Sequence, residues 1–263
     1  NFSILIITFA SMISKAKIKY IKSLQHKKIR NSEGVFVAEG HKVVGDLLTK
    51  YQAKIIVATS EWIKTNNNIN SDEIIEVTED ELSRVSFLQH PQMVLAIFQF
   101  FEYDTPIIND NDETLYLALD GVQDPGNLGT IIRIADWFGI TDIYCSNDTA
   151  DIYNPKVVQA TMGSIARVKL HYTDLSKFIG SLPPNYPIYG TLLEGTDIYK
   201  EELSKNGIIV MGNEGNGISP EIRKMINRKL LIPNYPIGRE TAESLNVAIA
   251  TAVTCAEFRR RMM

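Results

Sequence analysis

The sequence predicts an α/β protein with two domains, on three observations. The chain has 263 residues, more than one average domain needs, and 44% of them are apolar. Strand-like and helical patterns take turns along it, which is typical of a largely parallel sheet with helices on both faces. A stretch without clear periodicity, residues 101–113, carries five acids and a proline and separates a small first domain from a larger second one.

Composition excludes several classes of protein. Two cysteines, Cys145 and Cys255, cannot form a disulfide scaffold or a four-cysteine zinc site, and their positions favour small buried side chains. The four histidines show no metal-ligand spacing, so we predict no metal site. With a net charge of −4 the molecule as a whole does not attract nucleic acid, and any such binding must come from a local basic patch.

The first residues, Asn1 to Ala10, are apolar but too short to span a bilayer, and they lack the basic residues that precede a secretory signal. We expect them to be a non-functional leader and Met12 to be the natural start of the chain, with a signal peptide as the alternative. No other apolar run approaches the length of a membrane span, which predicts a cytoplasmic protein without membrane contact.

The first domain opens on a basic segment. Between Met12 and Arg30 there are seven lysine or arginine residues and no acid. Such a cluster can supply phosphate contacts in a nucleic-acid-binding protein, although a solvated lysine face is the structural alternative. Beyond it we predict extended segments at 34–39, 54–58, 74–77 and 93–100 and helices at 41–50 and 79–87.

In the second domain the alternation is regular. We predict strands near 115–119, 141–145, 166–172, 188–193, 208–211 and 229–232. The predicted helices lie near 127–138, 155–164, 174–181, 197–204, 219–227 and 242–261. In a sheet of this kind the ligand binds at the carboxyl ends of the strands, so the loops that follow the strands are the candidates for a site.

The first candidate loop, LDGVQDPGNLGTIIRIADWFG, covers Leu119 to Gly139. Its DPG segment predicts a turn, and Asn127 is placed to cap the helix after it. On that helix Arg133 and Trp137 project away from the apolar face. Most arginines in such a position are simply solvated, but the tryptophan one turn away favours an interface or a site.

Two more loops carry polar residues. The second, GIIVMGNEGNGISPEI at 207–222, has three glycines after a buried strand and one carboxylate in the loop, Glu214. Its glycine spacing fits neither the dinucleotide fingerprint nor a phosphate-binding P-loop. Backbone amides close to a ligand are one interpretation of this loop, and an ordinary turn after a strand is the alternative. The third, LLIPNYPIGRETAESLNVAIATAV at 230–253, places Ser244 and Asn246 at a helix entrance, where capping is the expected role.

In this order, DPGNLGTIIR with ADWFG, then MGNEGNGIS, then IP followed by ESLNVAIA, the loops resemble the three motifs of the SpoU (TrmH-like) family of RNA ribose 2′-O-methyltransferases in the SPOUT superfamily. The resemblance runs from Leu115 to Arg260. The segment KIRNSEGVFVAEGHKVVGDLL, Lys28 to Leu48, resembles the L30e-like RNA-binding substrate domain of many members. One departure is the longer run NYPIGRETA between IP and ESLN, which includes Arg239.

The resemblance implies a substrate domain at 12–100, a linker at 101–113 and a knotted methyltransferase domain at 114–263. The knot is a deep trefoil that holds S-adenosylmethionine, in a protein that usually acts as a homodimer. The residues that match the catalytic and RNA-facing positions of the family are Asn127, Arg133, Glu214, Ser244 and Asn246. Those that match its cofactor contacts are Thr191, Gly212, Ile232 and Leu245, and the basic segment adds Lys27, Lys28 and Arg30 as RNA contacts.

The implied function is methyl transfer from S-adenosylmethionine to a ribose 2′-hydroxyl in ribosomal RNA or, less favoured, transfer RNA. Since arginine stays charged in proteins, we expect Arg133 to be an electrostatic clamp on the adjacent phosphate and developing alkoxide rather than a base. Two other hypotheses stay open: an RNA-binding protein on the same fold that has lost catalysis, and a methyltransferase of small molecules. The presence of all five motif residues disfavours the first, and the basic segment with its extra domain disfavours the second.

Overall fold

The computed structural model describes residues 6–8, 13–66, 69–109, 113–236 and 239–261, which form two compact units. The first unit contains the described residues up to Glu102 together with Asp151–Ala166. The second contains Tyr103–Ala150 and the described chain from Arg167 onward. The α/β fold predicted from the sequence is confirmed, and each unit has its own sheet.

The first unit is built on five strands, β1 (Ile6–Thr8), β2 (Val35–Glu39), β3 (Ala53–Thr59), β4 (Ser71–Val77) and β5 (Val94–Gln99). They form one mixed sheet in the order β1-β4-β3-β5-β2, in which β5 is antiparallel to β2 and β3. The helices in this part of the chain are α1 (Lys15–Ser23), α2 (Lys27–Glu33), α3 (His41–Leu48), α4 (Ser60–Thr65) and α5 (Glu79–Val85). Valine, leucine and isoleucine side chains from the sheet, α1 and α5 form its buried core.

The second unit is built on six strands, β6 (Leu115–Asp120), β7 (Asp142–Cys145), β8 (Lys169–Tyr172), β9 (Ile188–Asp197), β10 (Gly207–Gly212) and β11 (Arg228–Leu231). Every neighbouring pair is parallel, in the order β11-β9-β10-β6-β7-β8, as predicted. The later helices are α6 (Pro125–Trp137), α7 (Pro155–Ala160), α8 (Leu175–Gly180), α9 (Pro220–Arg223) and α10 (Val247–Arg260). Apolar side chains of β6 and β10 pack with α8 and α9 in a buried core.

The segment Asp151–Ala166, which contains α7, packs in the first unit although it lies between two strands of the second. Arg30 is only 2% exposed, and its guanidinium donates to Asp151 Oδ2 at 2.6 Å and to two backbone carbonyls. The ring of Tyr153 stacks on Phe100, with the ring centroids 4.0 Å apart. A buried ion pair and an aromatic stack thus attach this segment to the first unit.

Three predicted helices differ from the structure. Residues 197–204 were predicted to be helical, but β9 continues to Asp197, where it pairs with β11, and a turn follows. Pairing with β11 accounts for Asp197 alone; beyond it the backbone N–H groups of Lys200 and Glu201 donate to the Asp197 carbonyl oxygen and close a single turn. The helix predicted at 219–227 is reduced to α9, and α10 begins at Val247 rather than at residue 242.

The start of the chain was assigned no role from the sequence, but Ile6–Thr8 form the edge strand β1, parallel to β4. The expectation that the natural chain starts at Met12 concerns a residue outside the described part. Among the described helices none is long and apolar enough to cross a membrane. Both cysteines are buried free thiols, as predicted, and burial raises their pKa, that of Cys255 to about 12.

Candidate active site

The three candidate loops meet at one edge of the sheet in the second unit. Asp124 and Asn127 follow β6, Glu214 follows β10, and Asn246 directly precedes α10. Because β10 lies between β6 and β9 and all three strands are parallel, their carboxyl ends are side by side. Polar side chains from separate motifs are thereby brought within hydrogen-bonding distance.

Glu214 is the centre of these contacts. Its Oε1 accepts hydrogen bonds from the Asp124 backbone N–H and from Asn127 Nδ2, both at 3.1 Å. Its Oε2 accepts a third hydrogen bond from the Gln123 backbone N–H at 3.3 Å. One carboxylate of the second motif therefore fixes the loop of the first motif through three donors.

Asn127 joins the first motif to the third. Its Oδ1 accepts from Asn246 Nδ2 at 2.9 Å, while its own Nδ2 donates to Glu214. The prediction that Asn127 caps α6 is wrong, because the helix begins at Pro125 and Asp124 caps it by accepting from the Asn127 backbone N–H. Without a capping role, the side-chain amide of Asn127 is free to bridge the two other motifs with both of its ends.

Asn246 caps α10, as predicted. Its Oδ1 accepts from the backbone N–H groups of Ala248 and Ile249, at 2.9 and 3.3 Å. Its Nδ2 donates at the same time to Asn127. Helix capping and the link between loops are therefore performed by one side chain rather than being alternatives.

The Glu214 carboxylate is ionised at neutral pH. Partial burial opposes its charge, but hydrogen bonds from Asn127 and from the backbone of Asp124 and Gln123 outweigh burial, so the pKa of Glu214 lies below its usual value. Hydrogen bonds to a charged acceptor are stronger than those between neutral groups. The charge of Glu214 therefore strengthens the contacts that hold the loops together.

A cavity of about 440 Å³ adjoins this network. The four residues predicted to contact a cofactor all line it, namely Thr191, Gly212, Ile232 and Leu245. Glu214 and Ser244, two of the five predicted catalytic residues, line it as well. The volume is in the range of small-molecule sites in proteins.

The lining of this cavity suits S-adenosylmethionine, the cofactor that the resemblance implies. Apolar side chains such as Ile218 and Val247 can cover an adenine ring, and the backbone of residues 212–217 offers polar contacts. The carboxylates of Glu214 and Glu243 offer negative charge to a ligand that carries a sulfonium and an ammonium group. The residues present therefore fit this cofactor.

Gly212 is required by the way the loop folds back. Asn213 and Gly217 exchange two backbone hydrogen bonds of 2.9 Å, which brings the two arms of the loop together. A Cβ atom on Gly212 would lie 2.2 Å from the backbone carbonyl carbon of Gly217, far inside contact distance. A Cβ on Gly215 would meet nothing closer than 3.6 Å, so the loop tip tolerates a side chain where its base does not.

Arg133 is the one predicted catalytic residue without a contact to the network or the cavity. It is exposed on α6, and within the described ranges its guanidinium has no hydrogen bond or ion pair. Trp137, one turn further along the same helix, is 84% exposed. The structure thus leaves a charged group and a large aromatic ring side by side on a surface that a partner can reach.

Two functional positions were missed by the sequence reasoning. Asp120 Oδ2 accepts from the Ser219 backbone N–H at 2.7 Å, and Asn213 Nδ2 donates to the Gly121 carbonyl oxygen at 2.7 Å. Both connect the first and second loops. Each is the polar residue at the very end of a buried strand or just after it, which is the signal that could have identified them.

Of the three residues predicted to contact RNA in the basic segment of the first unit, the structure leaves two exposed. Arg30 was expected to contact RNA, and this is wrong, because its guanidinium is buried and donates to the carbonyls of Leu24 and Gln25 and to Asp151. Lys27 and Lys28 are exposed and have no ion pair among the residues that the structure describes. They remain available to a phosphate backbone.

Comparison with protein families identifies two regions of the chain. Residues 114–256 match the SpoU rRNA Methylase family, and residues 15–96 match the MRM3-like substrate binding domain. The chain is 30% identical to the 23S rRNA (guanosine(2553)-2′-O)-methyltransferase RlmP of Bacillus subtilis over 244 residues, which cover 90% of this chain and 93% of that protein.

Solved structures of similar proteins agree with these matches. An AdoMet-bound rRNA methyltransferase from Sinorhizobium meliloti is 30% identical, with a TM-score of 0.83 over 98% of this chain and 99% of its own. A protein of the TrmH family from Porphyromonas gingivalis is 39% identical, with a TM-score of 0.83 over 95% of this chain and 100% of its own.

Proposed function

The chain belongs to the SpoU rRNA methylase family, and from that premise we propose that it methylates a ribose 2′-hydroxyl of ribosomal RNA with S-adenosylmethionine as the methyl donor. The observation that carries this proposal is the network of Glu214, Asn127 and Asn246, which joins all three motifs beside the cavity. Ribosomal rather than transfer RNA is supported by RlmP, which by its name acts on a guanosine of 23S rRNA.

The chemistry asked of the protein is mainly positioning. S-adenosylmethionine, when bound, supplies a methyl group that is already activated for transfer. Thr191, Ile232, Leu245 and the backbone that begins at Gly212 hold this cofactor in the cavity. The Glu214 network keeps the surrounding loops in a fixed arrangement, so that the 2′-hydroxyl can be held in line with the methyl carbon.

Arg133 acts on the RNA side of the reaction. An arginine side chain carries a positive charge in proteins and has a planar fork that matches a phosphate group. It binds the phosphate next to the target ribose and stabilises the alkoxide that develops there. The proton of the 2′-hydroxyl leaves to that phosphate or to a water molecule, since an arginine does not accept it.

The substrate domain, residues 12–100, selects the RNA in this proposal, and the methyltransferase domain, residues 114–263, carries the reaction. Lys27 and Lys28 provide phosphate contacts, because both are exposed in a chain whose net charge of −4 gives no general attraction to RNA. Arg30 has no part in this contact, since it serves the interior of the first unit.

Assembly, compartment and topology complete the proposal. The protein works as a homodimer in the cytoplasm, and the exposed face of α6 with Trp137 is part of the dimer contact. Sedimentation of Trp137→Ala tests this, since loss of an interface tryptophan costs on the order of 2 kcal/mol or more. The trefoil knot in the second domain stays a prediction.

A labelled-methyl assay tests the proposed function. The protein is incubated with methyl-labelled S-adenosylmethionine and either unmodified ribosomal or unmodified transfer RNA, and the RNA is then hydrolysed in alkali. A 2′-O-methyl group blocks cleavage of the following phosphodiester, so we expect the label in dinucleotides from ribosomal RNA. Label in single nucleotides, which indicates methylation of a base, contradicts the proposal, and so does label from transfer RNA alone.

A further inference from the structure

The loop between β11 and α10 lies directly at the cavity. Its first residue, Ile232, and its last part, Glu243 to Leu245, line the cavity. The run between these ends, NYPIGRETA, is longer than the resemblance leads one to expect. Because both ends of the loop line the cavity, its described residues, among them Tyr235 and Arg239, belong to a loop that is anchored at the site.

The loop between β11 and α10 exposes a large aromatic side chain to water. The ring of Tyr235 is 89% exposed, although a phenol ring gains most from being covered. Asn234 Nδ2 donates to the Arg239 carbonyl oxygen at 3.2 Å and to Thr241 Oγ1 at 3.1 Å, which ties the two arms of the loop together. Tyr235 is thus presented to solvent from a loop with internal hydrogen bonds.

Arg239 is a positive charge on a loop whose two ends line a cavity that is also lined by carboxylates. Two carboxylates without a cationic partner among the described residues line the cavity, Glu214 and Glu243, and they repel the phosphates of an approaching strand. Arg223 also lines the cavity, but it is paired with Glu194. Arg239 is exposed, and in the described part of the loop and its surroundings its guanidinium has no ion pair, so it is available to a phosphate.

We propose that this loop is an RNA-binding element in which Tyr235 stacks on an unpaired base next to the target ribose and Arg239 contacts the neighbouring phosphate. Proteins hold single-stranded RNA by this combination of an aromatic platform and a cation. The loop thereby favours an unpaired nucleotide over one in a duplex. This inference rests on the proposed function, because it takes RNA as the substrate of the same site.

Binding of labelled polyuridylate to the full chain tests the stacking role. Loss of one stacked base weakens binding by about 5- to 100-fold, so Tyr235→Ala should show a decrease of that size. Tyr235→Phe keeps the ring and should bind within about twofold of the wild type. The matched control is Tyr199→Ala, since Tyr199 is also an exposed tyrosine of this unit, 50% exposed, but follows β9 and lies outside the loop between β11 and α10.

The salt dependence tests Arg239. Affinity for a single strand falls as salt rises, and each lost phosphate contact makes the slope of log K against log salt less steep by about 0.7. Arg239→Ala should show a slope that is flatter by this amount. In both loop variants the affinity for S-adenosylmethionine, measured by calorimetry, should match that of the wild type. The KM for unmodified ribosomal RNA should rise in Tyr235→Ala more than kcat falls.

Several results overturn this inference. Polyuridylate binding by Tyr235→Ala equal to the wild type does so, and so does a loss in Tyr235→Phe as large as in Tyr235→Ala. A change of oligomeric state in Tyr235→Ala, seen by sedimentation, would assign the ring to contact with a second copy of the chain instead. If the wild type transfers no methyl group to RNA, the proposed function itself fails, which is a separate outcome.

Discussion

Glu214 accounts for most of the side-chain contacts between the first two motifs. It accepts from two backbone N–H groups and from Asn127, and Asn127 in turn accepts from Asn246. Through these three accepted hydrogen bonds, the Glu214 carboxylate fixes the loop of the first motif against that of the second. These contacts also require that the side chain stays charged, because a neutral acid would turn one of its oxygens into a donor.

Replacing Glu214 with Gln should slow turnover by tenfold or more while cofactor affinity changes less. Glutamine has the same shape, but one acceptor becomes an amide that faces the donors of the first loop, and a hydrogen bond to a charged group contributes about 1.5–3 kcal/mol. Steady-state rates and calorimetry measure the two effects. Glu221→Gln, an exposed glutamate that follows the same loop, is the matched control.

The pH dependence of the loop contacts follows from the same carboxylate. The folded-state pKa of Glu214 is below its unfolded value. The contribution of the charged side chain to stability is therefore fully present above the unfolded pKa, and it is lost as pH falls through the lower folded pKa. The Glu214→Gln variant should lack this loss on the acid side. Activity at neutral pH should therefore be insensitive to the titration of Glu214.

At the residue scale the sequence was informative where a role depends on local geometry. Asn246 could be predicted as a cap because a side-chain oxygen before a helix has one common use. Asn127 was given the same role wrongly, since Asp124 takes the cap three residues earlier. Arg30 was misassigned because its partner Asp151 is 121 positions away in the chain, a pairing that no local pattern shows.

The helices α6 and α10, which carry residues of the first and third motifs, run in the same direction and are in contact at both ends. At their amino ends Asn127 on α6 contacts Asn246 of α10. At their carboxyl ends Arg259 of α10 donates to the carbonyl oxygens of Phe138 and Gly139, at 2.7 and 3.2 Å. Because both ends are tied, the first and third motifs cannot move apart without breaking contacts along the whole pair.

Gly212→Ala should abolish tight binding of S-adenosylmethionine, whereas Gly215→Ala should bind it almost as the wild type does. The Cβ at Gly212 collides with the backbone of Gly217, which must move and open the loop, while the Cβ at Gly215 makes only an ordinary contact of 3.6 Å with Asn213 Oδ1. Calorimetry on the two variants gives the comparison. Equal affinity in both would contradict the assignment of this loop to the cofactor.

In the first unit, replacing the buried Arg30 should change stability, whereas replacing the exposed Lys27 and Lys28 should change RNA binding. Arg30→Met leaves Asp151 and two carbonyls without their donor and should lower stability by about 3 kcal/mol, seen as a lower Tm. Lys27→Ala with Lys28→Ala should leave the Tm unchanged but lower the RNA salt slope by about 1.4 on single strands. A reduced Tm in the lysine variant, with an unchanged slope, would return the cluster to a structural role.

At the element scale most strands and helices of the second unit could be predicted from their periodicity. The helix predicted at 197–204 starts where β9 ends, because Asp197 is still paired with β11 and only one turn follows it. A register shift between Lys229 and Leu230 accommodates Gly195, whose missing side chain leaves room for the Leu230 backbone. Such pairing depends on chain segments far apart, so no local pattern could show it.

The whole molecule consists of two units whose division could only partly be inferred. The polar stretch after residue 100 indicated two domains, but nothing in the sequence indicated that Asp151–Ala166 would pack with the first unit. That packing needs Arg30 to meet Asp151 and Phe100 to meet Tyr153, and each of these residues is unremarkable in its own stretch. The loops of the site, by contrast, could be singled out because they follow strands of one parallel sheet, and the resemblance then identified the candidate residues in them.

A single-turnover measurement tests the central claim most directly, namely that the three loops form a centre for RNA methylation with Arg133 as its clamp on the acceptor. Wild type, Arg133→Ala, Arg133→Lys and the control Arg228→Ala, an exposed arginine on β11, are mixed with saturating S-adenosylmethionine and unmodified ribosomal RNA. Methyl transfer should slow by about 100-fold or more in Arg133→Ala and less in Arg133→Lys, which keeps the charge but not the planar fork. Folding and cofactor affinity should stay at the wild-type level. Transfer by Arg133→Ala at the wild-type rate would contradict the account.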